Sequence, residues 1–362
     1  MQRIVIGIVA LCVAAGVWPA AGSAIRTGAY NLTTLRNASV STAWGQSWES
    51  KTEPAVLLSS QSQWQPGYNL TGGGTNGYDV VFDYKSVYDV ATVNLQTHFR
   101  GSQSLQEFYV EGSTDLSSWT TIAHWTDGAT SGFSYTNTPA APVQARYLRY
   151  RVPAGQYSAV GTDQNYGGPG LMYFEAITSA TTTFTTDNPN VATSFSQYGA
   201  SVTVTNAPGW NRSGDVAGTI DGRHGTGGPA HNNATGWGAG ATLDINLGSS
   251  WLVDAVEIMW GGRRDLRFSS DTYDLYSSLD GLTWTPVSYT KDATRRGTSS
   301  DLLTFSSEFR ATYIRLANLT TPTVSWDPTV GIAQVMVYTI PEPASLGLLV
   351  LAGALPMLRR RR

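Results

Sequence analysis

Phe108-Tyr-Val-Glu-Gly-Ser-Thr-Asp-Leu-Ser-Ser-Trp119-Thr-Thr-Ile122 and Tyr273-Asp-Leu-Tyr-Ser-Ser-Leu-Asp-Gly-Leu-Thr-Trp284-Thr-Pro-Val287 are two versions of one stretch, 165 residues apart. Upstream, Val90–Leu95 matches Val253–Ile258. Downstream, Ala145–Tyr150 matches Ala311–Leu316 and Gly170–Phe174 matches Gly331–Val335. Four blocks recur in one order at offsets of 161 to 166 residues, so a unit has been copied. A period of this size is a whole domain, not a solenoid repeat of roughly 20–50 residues. The Thr-rich joint Thr181–Pro189 ends in a turn and marks the boundary, giving units 25–180 and 181–339.

Within each unit the apolar period is two. Leu243, Ile245 and Leu247 alternate with Asp244 and Asn246, and Val93, Leu95 and Phe99 alternate with Asn94, Gln96 and His98. Such alternation makes strands with one buried face. Many short strands joined by polar loops predict an all-β chain of two tandem β-sandwich domains. Asp280-Gly281 is a hairpin-type turn that returns Trp284 to the sheet, whereas Asp115-Leu116 in the first copy predicts a different turn. The repeated pair Trp119 and Trp284 reads as core.

Composition narrows the function. The chain has 362 residues, 41% hydrophobic and 14% charged, with 38 Gly, 12 Trp and 18 Tyr, which excludes a charged disordered chain and disfavours a helical bundle. Without the two end segments, 18 basic residues face 25 acidic ones, a net of −7. With three Lys in all, the body is a poor polyanion binder, and nucleic acid is not an expected partner.

Both ends read as addresses. Arg3, the apolar run Ile4–Val17 and the small residues Ala20–Ala24 form a secretory signal over 1–24, with cleavage expected after Ala24. Cys12, the single cysteine, lies in it, so the exported body has no disulfide. At the other end, 340–362, Pro341-Glu342-Pro343 precedes a 14-residue apolar stretch, Ser345–Leu358, and four Arg. That stretch is a short hydrophobic helix, less than the about 20 residues of a stable span. The arrangement resembles the PEP-CTERM sorting signal of Gram-negative bacteria. The resemblance implies an anchor held transiently in the membrane, cut near Pro341–Pro343 by an exosortase-type enzyme, and a destination at the cell surface or in a matrix.

The blocks Ser278-x-Asp280-Gly281-x-x-Trp284 and Ala311-Thr-Tyr-Ile-Arg-Leu316 are similar to the discoidin family, which includes the coagulation-factor C-type domains and many bacterial carbohydrate-binding modules. The second unit carries the resemblance well and the first is divergent. The resemblance implies a jelly-roll sandwich of about eight strands in each unit. It also implies a structural calcium in the second unit, on Asp221, Thr226 and, at the late Glu position, Gln334. The first unit has no acid at the early position and Tyr173 at the late one, so no calcium is expected there.

Sugar recognition needs aromatic faces for C–H surfaces and planar polar groups for hydroxyls. The second unit offers Trp260, Arg263, Arg264, His224, Trp237 and Trp326 on segments read as loops or strand ends, with Trp210 and His231 nearby. The first offers Trp44, Trp48, Trp64, Tyr68, His98, Arg100, Tyr157 and Tyr166. Motifs of metalloproteases, serine hydrolases and phosphate loops are missing. The expected function is a non-catalytic, exported surface or matrix protein that binds polysaccharide. The alternatives are an adhesion or scaffold protein that binds other proteins, and a small glycan hydrolase.

Overall fold

The computed structural model describes residues 26–42, 77–98, 104–130, 132–158, 170–184, 190–192, 199–205, 216–220, 235–237, 240–260, 270, 272–292, 300–320 and 330–340. The signal segment 1–24 and the sorting segment with Pro341, Glu342 and Pro343 lie outside them. Among the described residues no helix is long and apolar enough to cross a membrane.

The first unit contributes β1 (Arg26–Thr27), β2 (Ser39–Ser41), β3 (Tyr78–His98), β4 (Ser104–Leu105), β5 (Phe108–Ser113), β6 (Thr120–Trp125), β7 (Ser134–Asn137), β8 (Val143–Val152), β9 (Tyr157–Ser158), β10 (Gly170–Thr178) and β11 (Thr183–Phe184). The second contributes β12 (Ser201–Thr205), β13 (Thr235–Trp237), β14 (Thr242–Trp260), β15 (Asp274–Ser278), β16 (Thr285–Pro286), β17 (Thr290–Asp292), β18 (Ser300–Ala317) and β19 (Val330–Thr339). Short 3₁₀ turns lie at Leu32–Thr34 and Val216–Ile220. All the pairings among the described residues are antiparallel. The chain is all-β, built as two β-sandwiches.

Each sandwich is folded around one long bent strand. The first half of β3 lies between β2 and β8, and its second half lies against β10 and β7. The first half of β14 likewise lies between β12 and β18, and its second half between β18 and β19. The bends coincide with register shifts between Asp83 and Tyr88 and between Asn246 and Trp251. Each has a left-handed residue, Lys85 (φ 69°) and Gly248 (φ 73°), whose N–H donates to a side chain two residues back, Asp83 Oδ1 at 2.8 Å and Asn246 Oδ1 at 2.9 Å. These corners are a further point of the duplication, carried by Asp83-x-Lys85 and Asn246-x-Gly248. Bending brings the layers face to face, and Phe82 stacks on Phe174 of the opposite layer with ring centroids 4.4 Å apart. Val93 and Leu95, and Leu243, Ile245 and Leu247, are fully buried, as their alternation requires.

The Asp turns differ from the sequence expectation. Asp115-Leu116 and Asp280-Gly281 form the same turn. Leu116 and Gly281 are both left-handed (φ 67° and 74°), and each N–H donates to Oγ of Ser113 or Ser278 at 2.9 Å. Asp115 Oδ1 accepts from the N–H groups of Ser117 and Ser118 at 2.9 and 3.1 Å, and Asp280 Oδ1 from Leu282 and Thr283, both at 2.8 Å. The side-chain hydrogen bonds fix the turn, and a leucine accepts the φ that glycine adopts freely. Leu116→Gly should therefore stabilise the chain by about 0.5–1 kcal/mol. Gly281→Ala should cost about 1–2 kcal/mol, since its Cβ would stand 3.2 Å from the Tyr313 ring in a strained conformation. Urea midpoints measure both.

The same hydrogen bonds set an acid limit. Backbone N–H donors, Ser118 ahead of Ser117 and Thr283 ahead of Leu282, hold the Asp115 and Asp280 carboxyls down to about 2 from 3.8. A carboxyl depressed on folding contributes stability above its unfolded value and loses it as pH falls through the folded one. Melting temperature should thus fall between about pH 4 and pH 2. Asp115→Asn with Asp280→Asn should flatten that slope in a pH series of thermal melts.

Candidate functional site

Strands of both layers of the second sandwich terminate at one end. Thr205 pairs with Thr242 and Asp274 with Ala317 in one layer; Met259 pairs with Ser300, Trp260 with Ile332 and Trp237 with Val330 in the other. Tyr273 ties the layers together there. Its ring lies 5.5 Å from that of Trp260 and 5.8 Å from that of Tyr289, and its hydroxyl donates to Asp301 Oδ2 at 2.7 Å. Tyr289 donates to the Tyr273 carbonyl at 2.7 Å, and Lys291 Nζ stands 3.7 Å from the same Asp301 oxygen. Burial, then the Asp301 charge, pushes the Tyr273 hydroxyl far up, so it remains a donor.

The segments that carry the candidate sugar-contacting residues adjoin these strand termini in sequence. Residues 261–269, with Arg263 and Arg264, follow Trp260. Residues 221–234, with His224, lead into β13, and 321–329, with Trp326, lead into β19. Those four residues lie outside the described ones, as do Trp210 and His231, and Trp237 is described only in its backbone, on β13. Trp260 is placed against the sequence reading of an open sugar platform. It is 3% exposed, packs in the core against Tyr273, and its indole N–H has no hydrogen-bond partner among the described residues. Its alternation with Ile258, another core residue, explains the inward direction. Trp260 thus belongs to the core at the end of β14. Tyr273, Asp301 and Lys291 were not legible as neighbours because they come from three separate strands or their flanks.

In the first unit Tyr157 is buried edge-on to Tyr78, ring centroids 5.3 Å apart, and burial pushes its hydroxyl up to about 12. His98 is described only in its backbone, at the end of β3. Trp44, Trp48, Trp64, Tyr68, Arg100 and Tyr166 lie outside the described residues.

Trp119 and Trp284 correct the sequence expectation. Both are half-buried on the outer face of their sheets, beneath a guanidinium: Arg149 lies 4.1 Å over Trp119 and Arg315 lies 3.8 Å over Trp284. The copied pair is therefore Trp with Arg. Its acid differs between copies. Glu111 on β5 binds Arg149 and Arg151, whereas Asp244 on β14 holds Arg315 through two hydrogen bonds of 2.6 and 2.7 Å. The first unit extends the ladder: Arg151 lies 4.3 Å over Tyr109, His124 stacks on its other face at 4.2 Å, and Glu107 accepts from Tyr109 and His124. Arg149 and Arg151 alternate with buried Leu148 and Tyr150, the parity that marks an outer face. Trp119 carries a cation over its ring and Tyr109 packs against both a cation and the His124 ring, contacts that stiffen the outer face of the sheet.

For calcium, Gln334 is the described candidate; Asp221 and Thr226 lie outside. Gln334 sits on β19, fully buried, with neither its amide oxygen nor its nitrogen hydrogen-bonded among the described residues. An unpartnered buried carbonyl oxygen suits a hard cation that takes oxygen ligands. Among the described residues no group of three His, Cys, Asp or Glu side chains is close enough to hold a metal ion.

The F5/8 type C domain profile matches residues 37–164 and 194–336, one segment in each sandwich. The chain belongs to the F5/8 type C domain family. Solved structures similar to it include a serum fucolectin of the striped bass Morone saxatilis, at 12% identity over 86% of this chain and 98% of that one, TM-score 0.30. A family 32 carbohydrate-binding module of Clostridium perfringens NanJ, solved with galactose, is 18% identical over 38% of this chain and 93% of its own, TM-score 0.29. Allantoicase of Saccharomyces cerevisiae is 11% identical over 87% of this chain and 94% of its own, TM-score 0.36. No curated protein matches the chain.

Proposed function

We propose that this F5/8 type C protein is an exported, non-catalytic component of a bacterial surface or matrix that binds polysaccharide through its two sandwiches. The observation that carries the reading is the family match in both units. The ends of β13, β14 and β19, which adjoin the Arg-, His- and Trp-bearing segments in sequence, lie together in the second sandwich and support it. In this reading Arg263 and Arg264 are the planar donors for sugar hydroxyls, His224, Trp237 and Trp326 are further candidate contacts, and Trp260 serves from the core beneath the strand end. Two weak sites on one chain multiply retention on a repeating ligand. The signal over 1–24 and the Pro341-Glu342-Pro343 segment carry the chain out through a membrane-held stage to an exosortase-type enzyme. Calcium, on Asp221, Thr226 and Gln334, would brace the second unit's loops by drawing their oxygens together.

Affinity electrophoresis through gels containing a panel of polysaccharides tests the reading. The intact body should be retarded by at least one of them, and Arg263→Ala with Arg264→Ala should weaken that retardation at least about 10-fold, the scale of two lost charge-assisted hydrogen bonds. Retardation by none of the panel would sink the polysaccharide reading. Unchanged retardation of the double variant would remove the site, and reducing-sugar release from a bound polysaccharide would make the protein a hydrolase.

A further inference from the structure

Each unit begins with an Asn that organises the chain against the unit's last strand. Asn31 bridges to Ile177 and Asn190 to Tyr338, positions that correspond in the duplication. The residue before the first of these, Tyr30, is anchored in the first unit by its backbone: its N–H donates to Thr178 Oγ1 at 2.9 Å and its carbonyl accepts from Thr178 N at 2.9 Å. Its side chain crosses to the second unit. Tyr30 Oη accepts from the backbone N–H of Asn190 at 2.8 Å, with both residues at most 1% exposed. A second tie follows one turn later, where Arg36 of the first unit forms an ion pair with Asp254 on β14. The third observation is the core itself: buried apolar residues of both units, Leu32, Leu35 and Phe82 with Val191, Val253 and Val337 among them, belong to one continuous cluster.

Domains joined by a simple linker meet through small, polar contacts and move relative to each other. Here a buried hydrogen bond to backbone, an ion pair and a shared core occupy the joint. We infer that the two sandwiches are locked at Tyr30–Asn190 and Arg36–Asp254 into one cooperative body, so that their loop ends are held at a fixed separation and orientation. A bivalent ligand then has to match one span, unlike the averaged reach of flexibly tethered modules. The inference needs no ligand and stands apart from the polysaccharide reading.

Scanning calorimetry of the whole exported body tests it. One transition is expected, with the calorimetric and van't Hoff enthalpies equal. Tyr30→Phe, which keeps the ring and removes the acceptor of a buried N–H, should lower the melting temperature by about 3–6 °C. Arg36→Asp should lower it by about 2 °C and Asp254→Arg should restore it in the same chain. Two independent transitions in the unaltered body, an unshifted Tyr30→Phe melt, or an Arg36→Asp loss that Asp254→Arg leaves in place would each overturn the lock.

Discussion

Phe82→Ala is expected to destabilise the protein by about 3–5 kcal/mol, whereas Trp284→Ala should cost only about 1–2 kcal/mol although it removes a larger ring. Phe82 is fully buried on the first layer of its sandwich and stacks on Phe174 of the other at 4.4 Å and 15°. Deleting it opens a cavity between two sheets whose strands are hydrogen-bonded on both sides and cannot collapse into the gap. Trp284 lies outside its sheet, half in water, and its main loss is the Arg315 guanidinium over its ring. Arg315 keeps its two hydrogen bonds to Asp244 after the change. Paired urea titrations give both costs, and equal midpoints for the two variants would place Trp284 in the core after all.

The second large effect is expected at Asn190. Asn190→Ala should cost about 2–4 kcal/mol, the scale of stranding two buried backbone donors. The Asn190 Oδ1 accepts from Ala192 N at 3.0 Å and from Val337 N at 2.8 Å, and its Nδ2 donates to the Ala192 carbonyl at 3.3 Å. Asn190 is wholly buried, so water does not replace these bonds without opening the joint. A chemical-denaturation loss under about 1 kcal/mol would show that the start of the second unit is held by its backbone alone.

Asn190 also shows what a repeat comparison can miss. Asn31-Leu-Thr33 and Asn190-Val-Ala192 share one identical residue, yet each Asn side chain accepts from the backbone N–H two residues on, at 3.2 and 3.0 Å. The corners behave alike: Asp83-x-Lys85 and Asn246-x-Gly248 have no residue in common, but the first side chain in each accepts the same turn N–H. What was copied and kept there is an acceptor at one backbone position, and two residue types supply it equally well. The blocks around Trp119 and Trp284 were legible because a turn, an aromatic and an Arg recur together.

The candidate site divides similarly. The aromatic and Arg-bearing segments after β14 and before β13 and β19 are read as loops from their polar, Gly-rich composition, and they lie outside the described residues. That the adjoining strand ends lie together, and that Tyr273, Asp301 and Lys291 meet there, depends on register across three antiparallel pairings.

By itself the sequence determined that this protein is a strand-built duplication, because a period of two over whole segments admits no helix and four ordered blocks admit no accident. Only the tertiary structure decided which aromatics face inward. Period two gives a residue's side of the sheet relative to its neighbours but leaves open which side meets the other layer, and that was settled by where the long strands bend. Trp260, at the end of bent β14, lies in the core, whereas Trp119 and Trp284, which follow the Asp turns, lie outside under Arg149 and Arg315 of separate strands.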